Sequence, residues 1–194
     1  VIFQYLESFS RNEIKKTTLV TSFQTETIAL EDLEKRIKTL HEMRKHGQTP
    51  VFTTDFDKYL YSTYVSYLKP NMYETNLIPK SDERGSFIEL SKALSMGQSS
   101  YSTTNSGVTR GNHFHTRKIE RFSVIKGKAK IELRKYLTDE IISFELDGNS
   151  PSYVDMPIWY THKITNIGDG ELLTFFWINE PYDQNDPDTY PEIV

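Results

Sequence analysis

The sequence predicts a mainly β protein, an antiparallel sandwich or jelly-roll barrel, with a helical segment in front of it. Three observations carry this. Apolar residues recur at helical spacing before residue 70. From about residue 77 the period shortens to two. The alternating runs are short and separated by turn residues, the pattern of a many-stranded antiparallel fold.

Taken in order, residues 1–26 are mixed in character and are read as helical. Leu30, Leu33, Ile37, Leu40 and Met43 then mark one face of a helix. Glu31, Asp32 and Glu34 sit at its start and Arg44, Lys45 and His46 at its end, the order that complements the helix dipole. Gly47 and Pro50 stop it. A second helix is expected with Asp55 as its cap and Phe56, Leu60, Tyr64 and Tyr67 on one face, ending at Lys69-Pro70-Asn71. The tyrosines at 59–67 are read as helix core or interface, and His41 and His46 as solvated. These apolar helix faces need the following domain, a partner chain or a missing N-terminal part to cover them, and they suggest a homodimer.

Strands are expected at 87–90, 128–134 and 142–146, and 171–178 reads as a nearly continuous buried strand. Turn signals stand at 82–85, 126–127, 147–149 and 168–170. The tail from Glu180, rich in Pro and Asp, is read as ordered coil on the surface. Tyr and Phe supply most of the 13% aromatic content, which suits sheet surfaces and pocket walls.

Bulk properties exclude several function classes. The 194 residues suffice for one sizeable domain or a domain with a helical annex. A net charge of −4 without a basic run argues against nucleic acid. There is no cysteine, so disulfides and thiolate metal sites are excluded and a cytoplasmic setting is expected. No apolar run has the length of a membrane span and no signal peptide is visible, so no membrane partner is expected. The chain opens at Val1 without methionine, and an upstream domain is expected to be missing.

The chemistry concentrates in residues 107–127. His113 and His115 share one side of an extended strand, because side chains two apart face the same way. Glu120 opens a second alternating run, so a strand, turn and strand would bring two imidazoles and a carboxylate together. His162 lies in a similar strand-like segment downstream. Such nitrogen and oxygen donors suit a borderline divalent metal.

Gly107, His113, His115, Glu120 and Gly127 fill every position of the first cupin motif, and the chain here resembles the cupin family. Pro157, His162 and Asn166 match the second motif. Trp159 stands where that motif has glycine and Pro151 replaces an earlier glycine, so the turn at 157–160 is expected to differ in shape. The resemblance implies a double-stranded β-helix, the cupin jelly roll, with a metal, Zn2+, held by His113, His115, Glu120 and His162.

Two further resemblances narrow the function. The segments at 82–89 and 108–113 resemble the cupin epimerases of nucleotide-linked 4-keto-6-deoxy sugars. Carried over by residue, Arg84, Phe87, Glu89 and Arg110 would contact the nucleotide sugar and His113 would be the base. The tyrosine acid of those enzymes falls near Phe176, which has no hydroxyl. Tyr160 and Tyr136 are therefore the first candidate acids, with Lys118 and Lys126 behind them. Those epimerases work without a metal, so this chain looks like a metal-retaining cousin. The whole chain, through residues 156–162 and 176–181, is similar to the C-terminal part of the bifunctional CapF/WbjC family of capsular polysaccharide synthesis. That resemblance implies a domain split. Residues 1–70 would be the helical end of a short-chain dehydrogenase/reductase domain, and 71–194 a zinc cupin. It also implies C3 epimerisation of a UDP-linked 4-keto-6-deoxy amino sugar, with NADPH serving only a reductase half that would lie upstream.

In these enzymes the proton at C3, beside the C4 carbonyl, is removed to give an enolate, which a Lewis acid can stabilise. Four protein ligands would fill a tetrahedral site, whereas catalysis needs an open position. His113 fits both ligand and base. Two other functions fit the same residues: an iron or manganese cupin oxidase or dioxygenase, and a non-catalytic module that docks a reductase partner.

Overall fold

A computed structural model describes residues 27–93 and 97–194. The helical reading of residues 1–26 lies outside the described residues. Among the described residues two helices come first, α1 (Leu30–Lys45) and α2 (Asp55–Ser66). The cap of α2 is Thr54 and not Asp55: its hydroxyl accepts the Asp57 backbone N–H, and the Asp57 carboxylate accepts the Thr54 N–H in return. A hydroxyl one residue earlier, with a carboxylate at the third helical position, satisfies two otherwise orphaned donors at once. Among the described residues neither helix buries a side chain completely. Leu30, on the apolar stripe of α1, is 81% exposed.

Eleven strands follow among the described residues: β1 (Lys80–Asp82), β2 (Gly85–Ala93), β3 (Gly97–Thr104), β4 (Thr109–Phe114), β5 (Glu120–Lys126), β6 (Lys128–Lys135), β7 (Ile141–Asp147), β8 (Tyr153–Met156), β9 (Tyr160–Asn166), β10 (Leu172–Ile178) and β11 (Tyr190–Pro191). They form two antiparallel sheets, ordered β1-β2-β3-β10-β5-β8 and β11-β4-β9-β6-β7. The mainly β fold and the two-sheet architecture agree with the sequence.

Alternation explains the core between the sheets. On β6, Ala129, Ile131 and Leu133 point inward and are buried, while Lys130 and Glu132 pair on the outer face. Phe122, Val124, Leu146, Val154, Met156, Ile164 and Leu172 complete the cluster. Each fully buried large apolar side chain contributes roughly 1.5–3 kcal/mol. β10 is buried on one face only: Leu172 is fully buried, whereas Trp177 is 36% exposed. The nearly continuous apolar run there reflects an outer face, Leu173, Phe175 and Trp177, that is also apolar.

β3 has an unusual inner face. Gln98, Ser100, Ser102 and Thr104 are all buried although polar. Gln98, Ser100 and Ser102 belong to a cavity wall and not to the apolar core. The tail is more than surface coil: β11 pairs with β4, and Asp188 is 2% exposed.

Candidate metal centre and cavity

The site is built on β4, β5 and β9. Gly111 on β4 has φ 101°, and a Cβ there would lie 2.6 Å from the His162 carbonyl oxygen. Only glycine permits β4 to approach β9 so closely. A register shift between Gly111 and His113 then sets His113 opposite His162. His115 follows directly after β4, its backbone carbonyl accepting the Trp159 N–H at 2.8 Å. Glu120 begins β5, between Ile178 of β10 and Met156 of β8.

These placements bring one donor atom from each of His113, His115, Glu120 and His162 within 4.8 Å of one another. Glu120 Oε2 stands 3.0 Å from His162 Nε2 and 3.4 Å from His115 Nε2. All three of those atoms are buried without a hydrogen-bond partner. The opposite ring nitrogens are engaged. His115 Nδ1 meets the Asp188 carbonyl at 2.5 Å, and His162 Nδ1 meets the Tyr160 carbonyl at 3.2 Å. A carbonyl can only accept, so each ring carries its proton on Nδ1 and aims an Nε2 lone pair inward. Buried, unpartnered lone pairs converging on one point are costly unless a cation takes them. The donor set therefore fits a divalent metal.

Burial alone would raise the Glu120 carboxyl, but the His115 and His162 rings outweigh it and hold it well below the usual carboxylate range. Burial opposes charge on His115, yet the Glu120 carboxylate prevails and raises its pKa. Burial, with His162 adding to it, pushes His113 down to about 4.

The group opens into a cavity of about 520 Å³. Of the residues singled out from sequence, Arg84, Phe87, Glu89 and Arg110 line it, together with His113, His115, Lys118 and Glu120. His162 lies behind the wall, fully buried. Tyr160, Tyr136 and Lys126 are not part of the lining. Tyr160 packs against the core, and Tyr136 stacks beside Phe114 with ring centroids 4.7 Å apart. Lys118 is buried, its ammonium donating to the Pro187 carbonyl at 2.6 Å and lying 5.5 Å from the Tyr182 ring centroid.

At the mouth Arg84 forms a two-pronged contact with Asp82, whose carboxylate also lies 3.9 Å from Arg110. Arg110 donates to the Thr104 hydroxyl at 3.0 Å and the Thr103 carbonyl at 3.2 Å. Glu89 is paired with Lys80 and Lys92. Phe87 stands near Phe176, which packs edge-on against Phe122.

The turn at 157–160 does not depart from a glycine-like shape at its key residue. Trp159 takes φ 63°, the left-handed conformation that glycine usually supplies. Its indole stacks over Phe114 with centroids 5.7 Å apart, and its carbonyl accepts the Tyr136 N–H. Those contacts offset the conformational cost.

Sequence reasoning missed Gln98, Ser100 and Ser102 on β3, Tyr182, and Thr189 in the tail, all of which line the cavity. The signal for β3 was alternation without apolarity, since every second residue of 98–104 is Gln, Ser or Thr.

Residues 80–190 match the family described as "Polysaccharide biosynthesis C-terminal domain". A curated relative from Pseudomonas aeruginosa, named UDP-2-acetamido-2,6-beta-L-arabino-hexul-4-ose reductase, is 33% identical over 193 residues. That alignment covers 96% of this chain and 52% of the relative. Among solved structures, the capsular polysaccharide assembling protein CapF from Staphylococcus aureus superposes with a TM-score of 0.88 at 34% identity, over 100% of this chain and 53% of that one. CapF with the inhibitor 3-isopropenyl-tropolone gives a TM-score of 0.85 at 34% identity, over 98% of this chain and 57% of that one. The chain thus spans about half the length of the relatives it matches. No helix among the described residues is long and apolar enough to cross a membrane.

Proposed function

The chain belongs to the polysaccharide biosynthesis C-terminal domain family, and on that premise we propose that it epimerises C3 of a UDP-linked 4-keto-6-deoxy-N-acetylhexosamine with the help of a bound Zn2+. The reading rests on one observation. The convergent donors of His113, His115, Glu120 and His162 open into the same cavity as Arg84, Phe87, Glu89 and Arg110. A metal alone is common to many chemistries, but a metal beside a basic, aromatic mouth suits an anionic sugar nucleotide.

His115, Glu120 and His162 are the firm ligand set, since their donor atoms are buried and unpartnered. His113 is kept out of that set as the base: it faces the cavity, where its uncoordinated imidazole can take the C3 proton. When bound, the cation supplies Lewis acidity for the enolate that this proton transfer creates. Lys118 is the acid we assign, because its side chain reaches the cavity and that of Tyr160 does not. It returns a proton to C3 on the opposite face, so that protein and sugar exchange one proton each way. Arg84 and Arg110 hold the diphosphate, for which the arginine fork is well shaped. Phe87 gives the sugar or uracil a flat apolar surface, and Glu89 accepts from its hydroxyls.

The product keeps its C4 carbonyl, so a reductase of the kind named for the Pseudomonas relative would consume it. The homodimer reading belongs to the same proposal. The outermost strand β7 exposes Ile141, Ile142 and Phe144, an apolar edge suited to a second copy.

Incubation of the zinc-loaded chain with the UDP-4-keto sugar in heavy water tests the function. Deuterium at C3 and a mixture of C3 epimers are expected. Zinc-loaded protein that leaves C3 undeuterated would sink the proposal.

A further inference from the structure

The residue most closely tied to the turn between β4 and β5 is not one of the metal-binding group. Asp188, in the tail, is buried and has φ 41°. Its carboxylate accepts the Thr116 N–H at 3.0 Å, the Thr116 hydroxyl at 2.5 Å, the Arg117 N–H at 3.0 Å and the Lys118 N–H at 2.9 Å. Its backbone carbonyl accepts a hydrogen bond from His115 Nδ1. The neighbouring residues continue the seam. Pro187 accepts from the Lys118 ammonium, Pro191 stands opposite His113, and the Glu192 N–H donates to the Asn112 carbonyl at 3.0 Å.

Two consequences follow from elementary chemistry. Three successive backbone donors aimed at one buried carboxylate fix the path of the turn, and the same donors offset the cost of burying that charge. One residue thereby sets both the backbone after His115 and the tautomer and tilt of its ring. The other end of the group is fixed differently, since His162 uses the Tyr160 carbonyl on its own strand. The His115 ring instead depends on a distant part of the chain.

We propose that Asp188 is a positioning residue for the metal centre, and that segment 187–192 is a clamp holding the His115 imidazole and the 115–118 turn in cation-binding geometry. The inference rests on the metal reading given above.

A merely structural aspartate would change folding stability and leave the Zn2+ affinity of the folded protein alone. The clamp changes that affinity. Zn2+ affinity of the full chain is measured by competition with a chromogenic chelator, with circular dichroism reporting the folded fraction. Asp188→Ala is expected to weaken Zn2+ roughly 10–100-fold, as loss of an outer partner to a metal-bound histidine does. Asp188→Asn, which keeps one acceptor oxygen, should lose less. A folded Asp188→Ala protein with Zn2+ affinity within about twofold of the unaltered chain overturns the clamp while the metal reading stands. Should Asp188→Ala fail to fold, Thr116→Val removes only the hydroxyl donor. A Zn2+ affinity several-fold weaker supports the clamp, and an unchanged one overturns it. If the unaltered chain binds no Zn2+, the metal centre falls and the clamp falls with it.

Discussion

His113 and His162 face each other across β4 and β9, with ring centroids 4.6 Å apart and planes 77° from parallel. The contact exists because β4 slips its register just before His113, where Gly111 lies against the His162 carbonyl. A methyl group at Gly111 would have to displace backbone in a conformation that disfavours any side chain. Gly111→Ala is expected to cost about 1–3 kcal/mol and lower Tm by several degrees. Because the strain falls between the two histidines, bound zinc per chain should fall with it. Thermal melts and metal analysis of the same samples check both effects.

Glu120 is the only carboxylate in the metal-binding group. Glu120→Gln keeps the shape and removes the charge that two imidazoles converge on. Zn2+ affinity should drop by more than the roughly 10–100-fold expected for outer partners. Chelator competition measures this, and an affinity unchanged by the substitution would remove Glu120 from the ligand set.

The cavity reverses the order of the candidate acids expected from sequence. Lys118 lines it and Tyr160 does not. Lys118→Met should lower the epimerisation rate by roughly 10²–10⁴-fold, the range for loss of a general acid. Tyr160→Phe should leave the rate within a few-fold. Rates followed by NMR on the UDP-4-keto sugar decide between them, and the reverse order of effects would make Tyr160 the acid.

The cap of α2 gives a stability prediction independent of the site. The Thr53 hydroxyl, ahead of burial acting the other way and of Thr54, holds Asp57 down to about 2 from its ordinary 3.8. The folded value lies below the unfolded one, so the contribution is complete above pH 3.8 and is lost as the pH falls through about 2. Asp57→Asn should flatten the part of the acid denaturation curve within that window. Thr54→Ala, which removes the capping hydroxyl, should cost about 1 kcal/mol at neutral pH. Urea unfolding at a series of pH values measures both.

The sequence and the structure part company where long-range contacts decide. His113, His115 and Glu120 were legible because strand alternation and a short turn bring them together locally. His162 was legible through its motif. The clamp residue Asp188 was not, because it reaches its partners across some seventy residues and partly through a backbone carbonyl, which leaves no trace in residue type. β3 was invisible to apolar periodicity because its inward residues are polar, with Gln98, Ser100 and Ser102 facing a cavity. Asp55 looked like a cap because aspartate is a good one, but the reciprocal bond between Thr54 and Asp57 needs the residue before it. Trp159 broke the motif in letter and kept its backbone conformation, since ring stacking on Phe114 offsets the strain that glycine avoids.

The central claim is that the four-residue group and the cavity act together on a keto sugar. It is tested most directly by following deuterium uptake at C3 of the UDP-4-keto-6-deoxy sugar on one protein sample in three states: zinc-loaded, stripped by chelator, and reloaded with Zn2+. Exchange that disappears on stripping and returns on reloading is the predicted result. Exchange that proceeds equally well in the stripped protein would contradict it.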